Sequence, residues 1–149
     1  MKKNIKTDGS VKEIWGFNPE TKLSRPLIGA HVPARFPSPA QDYIEGSLDL
    51  NEFLIAHPSS TFFVRVDGYS MIDAGIFPDD ILIVDRSLDA INNKIVIAIL
   101  DSELTVKRLK IIGNKYWLYP DNPEYQPICI EEDIEFYIWG VVTYVIHKV

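Results

Sequence analysis

Ser70 follows Gly68-Tyr69 at the mouth of a strand-like run, Thr61 to Val66, and leads into a turn-rich segment from Ile72 to Asp80. A serine hydroxyl is a weak nucleophile at neutral pH and needs a base beside it. Just past a glycine, such a serine is either a nucleophile or a turn residue. The candidate base is Lys107, 37 residues on, inside the run Leu104 to Ile111. A lysine can replace histidine when it is uncharged, and burial disfavours the ammonium. By period-two alternation Lys107 shares a face with Thr105, Leu109 and Ile111, while Arg108 and Lys110 share the other. A lone lysine among apolar neighbours fits a base; a strand lysine that snorkels to water fits the same pattern. The chemistry open to the pair is acyl transfer. Ser70 would attack a carbonyl, Lys107 would take its proton, and the N–H groups of Tyr69 and Ser70 would face the oxyanion.

Other nucleophile arrangements fit less well. His31, His57 and His147 show no recognisable triad spacing, although spacing alone does not exclude a triad. The Gly-x-Ser-x-Gly elbow is broken, because Ile72 stands at its second glycine, and no helical pattern follows Ser70. Cys129 is the single cysteine, which rules out an internal disulfide, fits a reducing cytoplasm and suits a small core residue.

The 149 residues, 46% hydrophobic, suffice for one core without metals or crosslinks. No apolar run approaches the roughly 20 residues of a membrane helix, and Lys2 and Lys3 precede no apolar segment of a secretory signal. The net charge of −6 argues against a general nucleic-acid surface. Charge is unevenly spread. Residues 1–35 hold seven Lys/Arg against three Asp/Glu, and residues 36–149 hold eight against eighteen. A basic arm could fold onto an acidic body by attraction, or remain a solvated tail whose charges salt would screen.

The elements that must position the pair follow in order. Residues 1–35 show no lasting apolar period and predict an extended, mobile arm, with Trp15 and Phe17 able to pin it to a groove. Residues 36–149 predict a compact, mostly β, antiparallel domain with short helices. Phe36-Pro37-Ser38-Pro39 breaks the chain, and a short helix is expected from Ser38 or Pro39 through about Glu45. A helical turn is expected over Asp49 to Ile55, with Asp49 as its N-cap. Strands are expected over Thr61–Val66, Ile81–Val84, Ile95–Leu100, Glu103–Ile111, Tyr116–Tyr119, Ile128–Ile130 and Phe136–Ile146. The apolar runs at 81–84 and 95–100 suggest strands covered on both faces. Asp101-Ser102 and Gly113-Asn114 mark turns, and Gly140 a bulge.

The segments Gly68 to Ile76, Asp79 to Asp85 and Thr105-Val106-Lys107, with the serine-to-lysine spacing, resemble the LexA/UmuD family of self-cleaving peptidases. Phe36 to Tyr43 and Asp49 to Ser59 resemble its UmuD-type branch. The resemblance runs from about Phe36 to the C-terminus. It implies the peptidase-type β fold, with residues 1–35 as the cleaved arm and no cofactor or metal. It also implies that RecA filaments on single-stranded DNA promote self-cleavage after DNA damage. The shortened protein, as a cytoplasmic homodimer, would then join a UmuC-type Y-family polymerase in translesion synthesis, without sequence-specific DNA binding. Ser70 and Lys107 take the catalytic positions, and the amides of Tyr69 and Ser70 the oxyanion hole. The matching scissile bond is Ala34–Arg35. Arg35 departs from the family's glycine and removes backbone freedom, so slower cleavage, or another bond such as Gly29–Ala30, is also compatible.

Three other readings compete. A non-catalytic dimeric module of this fold could dock a polymerase or RecA. A phage-type repressor peptidase would carry a DNA-binding domain, and a signal peptidase a membrane segment; neither pattern is present in these residues.

Overall fold

The computed structural model describes residues 6–18, 24–28 and 44–149. The chain divides into two compact units, Met1–Phe17 with Ser59–Val149, and Asn18–Pro58.

The larger unit is built on an eight-stranded antiparallel sheet. Its strands are β1 (Val11–Gly16), β4 (Thr61–Val66), β5 (Ile81–Asp85), β6 (Ile95–Leu100), β7 (Glu103–Ile112), β8 (Lys115–Tyr119), β9 (Ile128–Cys129) and β10 (Phe136–Ile146), in spatial order β1-β4-β5-β10-β6-β7-β8-β9. The smaller unit pairs β2 (Ser24–Ile28) with β3 (Ile44–Asp49) and adds a short helix, α1 (Leu50–Leu54).

Sequence chemistry explains the register. Asp101 and Ser102 both adopt positive φ, +47° and +66°, the conformation of a type I′ turn, whose twist matches that of the strands it joins. β6 and β7 therefore pair without slippage from Leu100↔Glu103 to Val96↔Lys107. Alternation then divides the core. Ile97 and Val106 pack with Val64, Val66, Leu82 and Val84 in one cluster, while Val96, Ala98, Leu109, Leu118 and Val141 form another. The continuous apolar run of β6 is thus covered on both faces, as its pattern predicts. Burying each of the valine, leucine and isoleucine side chains among these stabilises the fold by about 1.5–3 kcal/mol.

Gly140 marks a register shift in β10 between Ile138 and Gly140 opposite β6, the expected bulge. Asp49 caps α1 as expected, its carboxylate accepting from the Asn51 N–H at 2.9 Å. Cys129 is half-buried in β9 rather than a core residue.

Two expectations are corrected. Ile44 and Glu45 open a strand instead of ending a helix. The hydrogen bonds of that strand come from Ser24–Ile28, a distant partner that no local pattern announces; residues 38–43 lie outside the described residues. Residues 11–16 are extended, as expected of the arm, but they are an integral strand. β1 pairs antiparallel with β4, from Val11↔Val66 to Gly16↔Phe62. Val11 is buried in the core with Val64 and Val66. Trp15 lies 5.3 Å from the Arg65 guanidinium, and Phe17 meets Phe63 edge-on at 6.2 Å.

Charge attraction between a basic arm and an acidic body is not the whole account of this seating. Lys12 pairs with Asp79 at 3.1 Å, but Glu13 meets Arg65 at 3.5 Å and Asp8 meets Lys107 at 3.2 Å, with the signs reversed.

Candidate active site

The site lies where β4 ends and β7 runs past it. Asp67 and Gly68 turn the chain out of β4, with the Gly68 N–H donating to the Asp67 carboxylate at 2.8 Å. Gly68 takes φ +73°, a left-handed conformation that penalises a Cβ by about 1–2 kcal/mol. Ser70 follows, only 7% exposed, and Met71 next to it is 3% exposed in the core. Met71 fixes the turn from inside. Its carbonyl accepts from the Ala74 and Ile76 N–H groups, and a one-turn 3-10 helix, Ile72–Ala74, continues the chain.

Lys107 arrives from the middle of β7 and is 5% exposed. Its Nζ stands 3.5 Å from Ser70 Oγ. Two residues 37 positions apart in sequence are thus brought together by the turn after β4 and the middle of β7. The surroundings of the amine differ from the apolar setting expected. Nζ donates to Thr105 Oγ1 at 2.8 Å, to the Val106 carbonyl at 3.0 Å and to Asp8 Oδ2 at 3.2 Å. Alternation placed Thr105 on this face, but nothing local placed Asp8 there.

Asp8 belongs to a seated segment, residues 6–10. Leu104 N–H donates to the Lys6 carbonyl, and Asp8 N–H to the Leu104 carbonyl, at 3.0 and 3.1 Å. Ser10 Oγ accepts from the Val106 N–H at 2.9 Å, and the Ser10 carbonyl accepts from the Asp67 N–H at 3.0 Å. The segment therefore ties the start of β7 to the serine turn. Burial alone would push the Asp8 carboxyl up. The Lys107 ammonium and the hydrogen bonds from Ser10 and Thr105 outweigh it and hold the carboxyl below its usual range.

The opposite wall is the loop after β8. Arg108 grips the Asp121 carboxylate through both Nε and Nη2, a fork geometry that fixes a loop against a strand. Asp121 accepts from the Asp73 N–H at 2.9 Å through its carbonyl, and its N–H points at Met71 Sδ at 3.4 Å. Asn122, 5% exposed, donates from Nδ2 to the Tyr69 carbonyl at 2.8 Å. That carbonyl shares a peptide plane with the Ser70 N–H, so Asn122 sets the direction of the amide. Among the described residues, the N–H groups of Tyr69 and Ser70 have no acceptor.

A cleft lined by Asp8, Gly68, Tyr69, Ser70, Lys107 and Tyr125 opens onto the serine. His147 pairs with Asp80 at 2.6 Å instead of serving Ser70. His31, Ala34, Arg35 and Gly29–Ala30 lie outside the described residues. Sequence reasoning missed Asp8, Ser10, Asn122 and the Arg108–Asp121 clamp. The available signal was weak, namely polar residues at the ends of strands with no partner at regular spacing.

An antiparallel sheet holding a turn serine against a buried strand lysine places this fold among peptidase-type β domains, apart from triad hydrolases of α/β build. The chain belongs to the S24-like peptidase family, which matches residues 26–143. It is 45% identical over 126 residues to protein ImpA of Salmonella typhimurium, covering 83% of this chain and 84% of ImpA. It is 44% identical over 122 residues to protein MucA of Escherichia coli, covering 81% and 83%. A LexA repressor of Ectopseudomonas mendocina is 43% identical over 124 residues, which cover 83% of this chain but 60% of the repressor. The likeness to the UmuD-type branch rests on the first two. No helix among the described residues is long and apolar enough to cross a membrane.

Proposed function

We propose that the protein is a self-cleaving serine peptidase of the SOS mutagenesis response. The observation that carries this reading is the 3.5 Å approach of two buried side chains, Ser70 Oγ and Lys107 Nζ. In the reaction, Ser70 Oγ adds to the Ala34 carbonyl carbon and its proton passes to neutral Lys107. The N–H groups of Tyr69 and Ser70 donate to the oxyanion. Collapse breaks the Ala34–Arg35 bond, the leaving amine takes the proton from Lys107, and water hydrolyses the Ala34 ester. RecA filaments on single-stranded DNA would promote the step. The body from residue 35, as a homodimer, would then serve a UmuC-type Y-family polymerase. The test is intact-mass spectrometry of the purified chain held at alkaline pH. A fragment ending at Ala34 is expected, and a chain that stays whole with RecA filaments present would leave only a docking module. Arg35 in place of glycine is the feature that favours that second reading.

Asn122 positions the amide that faces the oxyanion, without touching substrate itself. Asn122→Ala should slow self-cleavage about tenfold, since a misdirected oxyanion donor forfeits a fraction of its roughly 10²–10³ contribution. The shape of the pH profile should not change. Asn122→Asp removes the donor and should not rescue; an alanine variant that cuts at the wild-type rate would remove the role.

The cut leaves β1 on the N-terminal fragment, still paired with β4 and with Val11 in the core. Fragment 1–34 should therefore co-elute with the body in gel filtration after cleavage and separate in denaturant. Immediate loss of the fragment in native buffer would contradict this.

A further inference from the structure

We propose that Asp8 is the residue that keeps Lys107 from acting as a base, so that the N-terminal segment which seats Asp8 is a latch on the dyad. The inference rests on the peptidase reading above.

Hydrogen-bond counting carries it. An ammonium has three protons, and four acceptors stand within 3.5 Å of Nζ. Thr105 Oγ1, the Val106 carbonyl and Asp8 Oδ2 are the three nearest, and Ser70 Oγ is the farthest. The three nearer acceptors use all three protons. The Thr105 hydroxyl gives its own proton to Asp8 Oδ2, so its oxygen faces Lys107 as an acceptor only. Each of the three nearest neighbours accepts a hydrogen bond from Nζ, so the amine presents no lone pair to receive the Ser70 proton.

Asp8 is the member that comes from outside β7. Thr105 and Val106 belong to β7 itself, whereas Asp8 comes from a segment 99 residues away in sequence, with its side chain 34% exposed. Among the described residues it is the only carboxylate within ion-pairing distance of Nζ. Asp67, Tyr69 and Tyr125 line the same cleft. The Asp67 carboxylate is engaged by the Gly68 N–H. Removing Asp8 removes the adjacent negative charge and one of the three acceptors that engage the amine's protons. The neutral amine can then turn its lone pair to Ser70. The carboxylate lies on the N-terminal side of the Ala34–Arg35 bond, in a segment that reaches the site from outside β7, so an intact chain carries its own restraint.

The test uses the full chain with Asp8→Asn, which keeps the shape and removes the charge, and Asp8→Glu, which restores it. Cleavage of Asp8→Asn at neutral pH should be about tenfold faster than wild type, with its pH–rate profile displaced to lower pH. Asp8→Glu should return to the wild-type profile. A second readout needs no cleavage. In a Ser70→Ala background, the Lys107 side-chain nitrogen resonance should begin to move at lower pH when Asp8 is replaced by asparagine, with Asp8→Ser as the substitute if that chain does not fold. A resonance that moves at the same pH with and without the carboxylate overturns the latch, as does an Asp8→Glu profile matching Asp8→Asn. If no variant cuts at any pH, the peptidase reading fails, and the resonance alone decides whether Asp8 holds the proton.

Discussion

Ser70→Ala and Lys107→Ala chains should remain whole under every condition in which the wild-type chain sheds residues 1–34, a loss of rate on the order of 10⁴-fold or more. The two substitutions act on one step, so the double variant should be no slower than either single one. Each role is distinct. Alanine at 70 removes the atom that bonds to the carbonyl. Alanine at 107 removes the acceptor for its proton and leaves Asp8, Thr105 and the Val106 carbonyl facing a void. The fold should survive both changes, because the strand pairings of β6 with β7 and the core around Val106 and Leu109 do not depend on Nζ. The measurement is fragment mass against time across pH, with an amide spectrum as a check on folding. A folded Lys107→Ala chain that still cuts would remove lysine from the mechanism and return attention to a histidine.

Gly140→Ala should lower stability by about 2 kcal/mol with no effect on the chemistry of an intact chain. A Cβ at this position would come within 2.5 Å of Val84 Cγ1 and 3.3 Å of Arg86 Cγ. Arg86 can give way, since its contact there is the middle of a flexible side chain. Val84 cannot. It is fully buried in the cluster with Val64, Leu82 and Ile97, and a β-branched residue has one good rotamer to lose. Arg86 would move at some cost too, for its guanidinium stacks 4.6 Å over Trp139 and its Nε donates to the Trp139 carbonyl at 2.9 Å. The urea midpoint should fall while the slope stays constant. Gly16→Ala is the matched control. A Cβ there would meet nothing within 4 Å, and the φ of Gly16 is one that any residue adopts, so the change should alter stability by less than about 0.5 kcal/mol. Equal losses at the two glycines would mean that the close approach at Val84 is not the cause.

Most of the sheet, and the inward face that carries Lys107, could be read from the pattern of the chain, while the pairing of Lys107 with Ser70 needed the family resemblance. Apolar runs at Ile81 and Ile95 become strands covered on both faces, because every residue in them can face a core. Asp101-Ser102 closes a hairpin because short polar residues tolerate positive φ. Alternation along Glu103–Ile112 turns Lys107 inward, and that face is buried. These are local properties, and local pattern reports them.

What surrounds the pair is a product of folding. Asp8 reaches Lys107 across 99 residues, and Asn122 reaches the Tyr69 carbonyl across 53. The segment at residues 11–16 is a strand because β4 offers an open row of hydrogen-bonding groups, and Ile44–Asp49 is a strand because Ser24–Ile28 does the same. A hydrogen bond between distant residues leaves no period in the chain. The identity of a buried charge's partner is settled only when folding brings one carboxylate, out of twenty-one acidic side chains, within reach of one amine.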